Sequence, residues 1–328
     1  MKAAEVKDRI NSLASGNKEF LFGVDFELTE GFLIENPKAQ KRILFRTPLA
    51  SNAFVDNTTG KRVKDRLSIT SNPEPYERYK ERFDIIMAGL KRGDSFLTNL
   101  TVRTPIETSL SMLDIFNLST APYCLYYPDK FVCFSPEIFV RIDNGIISTN
   151  PMKGTIDAKI PNAAEIILGN EKETREHNTV VDLLRNDLGI VADGINIERF
   201  RYIDRICAND RDILQVSSKI SGQLPQNYLN RLGDILFALL PAGSISGAPK
   251  TSTINMIKQA EGIPRGYYTG IFGYFNGSSL DSAVMIRFIE EQGGQKYFRS
   301  GGGITVLSEP QAEYNEVMEK IYLPFVKK

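Results

Sequence analysis

Apolar and polar positions alternate along this chain with two periods, and the switches between them predict its elements. Between residues 20 and 72, short apolar runs are separated by polar segments such as DNTTGKR at 56–62, the pattern of strands joined by turns. From Pro75 to Arg92 the period changes. Tyr79, Phe83, Ile86 and Leu90 recur three or four apart, one face of a helix that Gly93 stops. DSFLTNLTVRTPI then reads as a strand and SLSMLDIFNLST as a helix. Three strands follow within YCLYYPDKFVCFSPEIFVRIDNGIISTNPMKGT, with turns at Pro128-Asp129 and Asp143–Gly145. A helical block covers roughly 162–186, with a break near Gly169-Asn170. Beyond it come the strand ILQVSSKISGQL, the helix NRLGDILFALL, the loop PAGSISGAPK and the helix TSTINMIKQAEG. GYYTGIFGYF, SAVMIRFIEE and KYFRS read as strands, GGG precedes one more strand, ITVLS, and a closing helix runs from near Pro310 to the end. Strands in series without regular βα alternation predict an α+β fold with mainly antiparallel sheet. No repeat, low-complexity tract or linker interrupts the 328 residues, which read as one compact unit.

Charge adds an exclusion. Forty basic residues balance forty acidic ones, so nothing global favours nucleic acid or an anionic membrane. An anionic small molecule would need local positive partners. The N-terminal MKAAEVKDRINSLASGNKEF reads as a polar helix without an apolar signal core. No run approaches membrane-spanning length, so a cytoplasmic protein is expected. Cys124, Cys133 and Cys207 are odd in number and lack metal-knuckle spacing, which suits buried thiols in a reducing compartment. A single histidine, His177, argues against a His-rich zinc site and a Ser-His-Asp triad. It reads as a packing or capping residue. Acid–base and nucleophilic chemistry then falls to Lys, Glu, Asp or Tyr.

Several constellations could carry such chemistry. Glu173 and Glu176 stand three apart, as do Glu313 and Glu316, so two helices each present a carboxylate pair. Together they could hold Mg²⁺, which takes oxygen ligands and commonly bridges to an anion. Glutamates at this spacing are ordinarily a solvated face, although Val180 and Leu184 continue the Glu176 stripe and mildly favour an inward carboxylate. PAGSISGAPKTS resembles a phosphate loop only superficially. Gly243 and Gly247 are separated by three residues, and Ala248-Pro249 precede Lys250, so the Gly-x4-Gly-Lys-Ser/Thr spacing fails. Gly301, Gly302 and Gly303 expose N–H donors to a carboxylate or make a bend. Arg287, between Ile286 and Phe288, either grips a carboxylate from a polar cleft or faces solvent. Glu137 and Tyr268 sit among strand residues. Lys153, in STNPMKGTID, reads locally as a turn lysine between proline and glycine.

In chain order, FSPEIFV, NPMKGTID, KETREHNTVVDLLRNDLG, PAGSISGAPK, GYYTGIFGYF, MIRF, GGGI and AEYNEVMEK resemble the chorismate-utilising enzymes over about residues 130–328. GDSFLTNLTVRT extends the likeness more weakly toward the N-terminus. Within the family, PMKGT is similar to the P-I-K-G-T of aminodeoxychorismate synthase component I, where anthranilate synthases carry alanine in place of the lysine. The resemblance implies large antiparallel β-sheets packed as a sandwich with helices outside, and one chorismate-binding catalytic domain over 1–328 with a shortened N-terminal portion. It implies that chorismate and ammonia give 4-amino-4-deoxychorismate, for p-aminobenzoate and folate. Ammonia would come from glutamine through a partner glutamine amidotransferase subunit, since the chain has neither the length nor a Cys/His pair for such a domain of its own. By the same resemblance Lys153 is the nucleophile, Glu137 protonates the departing hydroxyl, and Mg²⁺ is held by Glu173, Glu176, Glu313 and Glu316. Tyr268, Arg287, Gly302 and Gly303 bind substrate carboxylates, and Ser244 and Lys250 belong to a loop closing over the ring. An ordinary lysine is free base in only about one molecule in a few thousand at neutral pH, so such a nucleophile is expected to need burial and a neighbouring cation.

Two positions depart from the family. Gln215 stands where relatives often carry histidine; it hydrogen-bonds but cannot act as acid or base. Asn150 stands where they often carry arginine. No tryptophan-binding segment is recognisable, so no tryptophan regulation is expected. The alternatives are an anthranilate, isochorismate or salicylate synthase, or from another class a non-catalytic partner or nucleotide-binding protein.

Overall fold

The computed structural model describes residues 1–53, 69–208 and 211–323. The DNTTGKR turn and the last residues of the closing segment lie outside the described residues, as does the side chain of Cys207.

Two antiparallel sheets face each other. Among the described residues, the first has nine strands, in the spatial order Met152–Asp157, Arg211–Gln223, Ile146–Thr149, Ile138–Asp143, Leu280–Val284, Ile271–Phe275, Phe20–Val24 and Gly31–Glu35; Asp193–Ala208 pairs along Arg211–Gln223. The second has eight: Gly247–Ala248, Leu97–Glu107, Gln295–Ile304, Phe288–Gln292, Phe131–Ser135, Tyr123–Tyr127 and Leu44–Arg46, with Thr70–Ser71 beside Leu97–Glu107. Strand alternation builds the layers. Leu21, Phe272 and Tyr274 of the first sheet meet Phe45, Leu125, Phe131 and Phe288 of the second in the inner core. Phe20, Phe22, Ile271 and Phe275 point the other way, onto helices.

Those helices form where the periodicity predicts. Tyr76–Arg92 buries Tyr79, Phe83, Ile86 and Leu90, and Gly93 closes it at φ 84° with its N–H on the Gly89 and Leu90 carbonyls. Each such side chain contributes about 2 kcal/mol of burial, and the stripe packs with Met256, Leu100 and Val317. Gly89 permits the close approach, because a Cβ there would lie 1.9 Å from Met256 Sδ. Asn170 divides the 162–186 block into Ala163–Gly169 and Glu171–Gly189, and its side chain accepts the Glu173 N–H as a cap. Among the described residues no helix is long and apolar enough to cross a membrane.

Several expectations need correction. The segment read as three strands over 123–155 holds five, Tyr123–Tyr127, Phe131–Ser135, Ile138–Asp143, Ile146–Thr149 and Met152–Asp157, and the closing helix, Pro310–Glu319, stops short of the end. SAVMIRFIEE is two strands, Leu280–Val284 in the first sheet and Phe288–Gln292 in the second, and Arg287 lies between them at φ 52°. GYYTG is a turn; its strand starts at Ile271. The three glycines lie inside Gln295–Ile304, and ITVLS ends that strand instead of starting another. Asp193–Ala208 forms a strand that the pattern does not predict. Ile195 and Ile197 alternate with exposed Asn196 and Glu198, but along 193–205 no residue is fully buried, so the alternation is short and weak.

The chain crosses between the sheets twice by very short paths. Pro136 and Glu137 alone separate Phe131–Ser135 from Ile138–Asp143, and residues 285–287 separate Leu280–Val284 from Phe288–Gln292. The crossings lie side by side: Phe134 N–H donates to the Arg287 carbonyl at 3.0 Å, and Val284 N–H to the Glu137 carbonyl at 3.1 Å. Glu137 and Arg287 therefore occupy a seam between sheets, not strand interiors.

Candidate active site

A cavity of about 280 Å³ opens at this seam, at the small end of the range for ligand sites. Crossing residues Glu137, Ile286 and Arg287 form one wall, Lys153 and Gln215 come from the first sheet, and Gly301, Gly302 and Gly303 from the second. Ser244, Tyr268, Arg299, Glu316 and Lys320 complete its polar surface.

Glu137 faces the cavity but is surrounded by protein. Burial raises its pKa, opposed by the Ser244 hydroxyl and by the charges of Lys153 and Arg287. Ser244 Oγ donates to Glu137 Oε1 at 2.5 Å. It stands on a one-turn helix, Gly243–Ser246, folded from the segment expected to be a loop. The result is a carboxyl held above its usual pKa, beside the cations Lys153 and Arg287. Opposite it, Lys153 Nζ lies 3.4 Å from Glu176 Oε2 and 3.6 Å from where a Cβ on Gly303 would be. A larger residue at 303 would press on that amine. Tyr268 is 3% exposed, and burial raises its hydroxyl pKa to about 12, so it stays a neutral donor. Arg287 Nε donates to Tyr322 Oη at 3.1 Å.

The two carboxylate pairs come together. Burial and then Glu176 raise the pKa of Glu173, and Glu316 adds to this; burial raises that of Glu313, with Glu316 and Glu176 adding to it. Burial acts upward on Glu316 too, but Lys320 Nζ at 2.7 Å brings its pKa below the usual value. Among the described residues no three of these carboxylates close on one point as a ready-made ligand set. The donor chemistry fits Mg²⁺: hard oxygens only, with neighbouring like charges, Glu313 buried and Glu173 and Glu176 half-buried, that a divalent cation would relieve. Glu173, Glu176, Glu313 and Glu316 are the residues that would hold it.

Lys250 does not line the cavity. Its Nζ is 3.0 Å from Asp187 Oδ1 and donates to the Leu239 carbonyl at 2.8 Å, tying helix Lys250–Glu261 to Glu171–Gly189. Gln215 does line it, and its buried Oε1 has no hydrogen-bond partner. Asn150 also lines it and donates to Tyr202 Oη at 3.3 Å. His177 is buried against Ser218 and lies outside the lining, consistent with a packing residue.

Two cations went unanticipated. Lys320 Nζ donates to the Gly301 carbonyl at 2.8 Å, and burial lowers its pKa against the pull of Glu316. Its sequence signal was the four-residue step from Glu316. Arg299 donates to Glu290 at 3.0 Å and to the Pro264 carbonyl at 3.0 Å. Strand alternation two residues before Gly301 could have found it.

Residues 27–325 match the model of the chorismate binding enzymes. An uncharacterized PabA-like protein of Haemophilus influenzae is 48% identical over 319 residues, 97% of this chain and 95% of that one. Aminodeoxychorismate synthase component 1 of Bacillus subtilis is 31% identical over 76% of this chain, which spans 55% of that protein. Anthranilate synthase component 1 of Acetivibrio thermocellus is 33% identical over 78% of this chain and 54% of its own length. Among solved structures, anthranilate synthase component I from Streptococcus pneumoniae superposes with a TM-score of 0.65 at 27% identity, over 78% of this chain and 58% of that one. The menaquinone-specific isochorismate synthase MenF of Escherichia coli shares the fold, with a TM-score of 0.73 at 15% identity over 97% of this chain and 80% of that one. With the matched model extending over nearly the whole length, and the cavity assembled from the same segments, the chain belongs to the chorismate-binding enzyme family.

Proposed function

We propose that the protein is the chorismate-aminating subunit of an aminodeoxychorismate synthase, converting chorismate and ammonia to 4-amino-4-deoxychorismate and water on the route to p-aminobenzoate and folate. The observation that carries this reading is Lys153, a primary amine in the cavity wall between Glu176 and the Gly303 backbone. An alanine there, as in anthranilate synthases, would leave the site without that nucleophile.

The Lys153 amine forms a bond to ring carbon 2, the double bond shifts, and the carbon 4–oxygen bond breaks. Glu137 gives its proton to the departing hydroxyl, which leaves as water. Ammonia then bonds to carbon 4, the double bond returns, and the carbon 2–nitrogen bond breaks to restore the lysine. Ser244 orients the Glu137 carboxyl. Arg287, Tyr268 and the N–H groups of Gly302 and Gly303 bind the substrate carboxylates. Mg²⁺, when bound by the four glutamates, supplies positive charge for a ring carboxylate. A separate glutamine amidotransferase subunit delivers the ammonia.

The test is incubation with chorismate, Mg²⁺ and ammonium, with chromatographic identification of products for wild type and Lys153→Ala. The expected product is 4-amino-4-deoxychorismate, lost in the variant. Anthranilate from the wild type would overturn the assignment. Unchanged amination by Lys153→Ala would overturn the covalent step.

A further inference from the structure

Among the described residues, the most enclosed ion pair outside the cavity is Arg265–Glu261, with side chains 1% and 2% exposed. The guanidinium donates to both Glu261 oxygens, Nε at 2.9 Å and Nη2 at 2.7 Å. Its remaining donors reach the cavity walls from behind. Nη1 donates to the Ile245 carbonyl at 3.0 Å and approaches Thr269 Oγ1 at 3.5 Å, while Nη2 donates to the Asn99 carbonyl at 2.7 Å. Ile245 follows Ser244, Thr269 follows Tyr268, and Asn99 itself lines the cavity. Glu261 also accepts the Thr101 N–H at 2.8 Å, so the pair is anchored on strand Leu97–Glu107 as well. Glu27 fixes the near end by accepting the N–H groups of Arg265 and Gly266 at 2.8 and 3.0 Å.

A buried ion pair is a poor device for stability alone, since well-packed apolar residues of similar volume do as well or better. What apolar residues cannot do is hold two carbonyls and a carboxylate in one planar fork. We propose that Arg265, neutralised by Glu261, is a positioning residue that sets the Gly243–Ser246 turn, and so the Ser244 hydroxyl on Glu137, against the Asn99 wall. It rests on the reading of Glu137 as the acid. Arg265 does not touch substrate. It acts through Ser244.

The test compares Arg265→Lys, which keeps the charge but lacks the fork, with Arg265→Met/Glu261→Gln, which removes both buried charges and leaves Thr101 an acceptor. Each is made with and without Ser244→Ala and assayed for chorismate amination. The expected result is at least a tenfold fall in kcat, with KM within threefold. Ser244→Ala, costly in the wild type, should cost less than twofold in either background, because the same contact is already lost. Additive losses, or losses that simply follow melting temperature, would overturn the proposal. Hydrogen exchange without substrate reads the positioning directly. Amides 243–247 should exchange at least tenfold faster in both variants while those of Ile271–Phe275 do not change. Unchanged exchange at 243–247 overturns the proposal even if the wild type proves not to turn over chorismate, an outcome that would sink only the functional reading.

Discussion

His177, the chain's single histidine, gives a pH effect whose sign and size follow from its surroundings. It is 1% exposed on helix Glu171–Gly189, with Nε2 2.7 Å from Ser218 Oγ. That oxygen also accepts the Arg201 N–H, while Nδ1 has no partner. Burial first, then the charges of Arg201 and Lys153, lowers the imidazole pKa from 6.5 to about 4. The neutral ring is therefore the native form, and between these values the unfolded chain binds more protons than the folded one. Its contribution to stability is complete above pH 6.5 and is lost as the pH falls through that window to about 4. At about 1.4 kcal/mol per pKa unit, the loss amounts to about 3 kcal/mol. Glu137, Glu173, Glu313 and Asp187 oppose it. Their folded values are raised, chiefly by burial, so their contributions are complete below the unfolded carboxylate range and lost as the pH rises through the folded values.

His177→Gln separates these trends, because the amide reaches Ser218 but does not titrate. The assay is urea unfolding followed by circular dichroism from pH 4 to 8 at fixed salt. The wild-type-minus-variant stability should rise by about 3 kcal/mol between pH 4 and 6.5 and then stay flat. With one histidine, the ring C2–H proton resonance is unambiguous and reports the folded pKa independently. A flat difference, or a ring that titrates near 6.5 in the folded protein, refutes the reasoning.

Ser244→Ala removes the hydroxyl hydrogen bond that holds the Glu137 pKa down, so that pKa rises further. If Glu137 acts as an acid, the alkaline limb of the kcat/KM profile moves upward with it; an unmoved limb counts against that role. Glu313→Gln takes the buried charge out of the carboxylate group, so in chelator at pH 8 it should melt higher than wild type. Added Mg²⁺ should raise the wild-type Tm and leave the variant nearly unchanged. Gly247 lies at φ 116° with an added Cβ only 1.8 Å from the Leu97 carbonyl oxygen. Gly247→Ala should therefore cost about 2–4 kcal/mol in urea unfolding, and a loss under 1 kcal/mol would show that the segment simply shifts.

Elements governed by their own periodicity were legible in the sequence. Helix Tyr76–Arg92 was readable to its last turn because Tyr79, Phe83, Ile86 and Leu90 mark one face and Gly93 supplies the left-handed stop. Strand Asp193–Ala208 was hidden because, among the described residues, it has one neighbour, Arg211–Gln223, and no fully buried residue along 193–205. The cavity was legible as a set of segments rather than a geometry. Glu137, Lys153, Ser244, Tyr268 and Arg287 do meet, but at a seam between sheets that no local window encodes. Lys250 shows the limit. The family resemblance implied a place in a loop closing over the ring, whereas its bond to Asp187, 63 positions earlier in the chain, turns it away from the cavity.

The paired crossings at Pro136-Glu137 and 285–287 act as a rivet. Sliding one sheet over the other would have to stretch two connections of two and three residues and break both hydrogen bonds between them. The separation of Glu137 from Arg287 is thereby fixed by backbone, and the cavity cannot breathe by parting its two walls. Whatever motion admits a ligand must come from the rim, where Glu316 and Lys320 are carried toward the end of helix Pro310–Glu319.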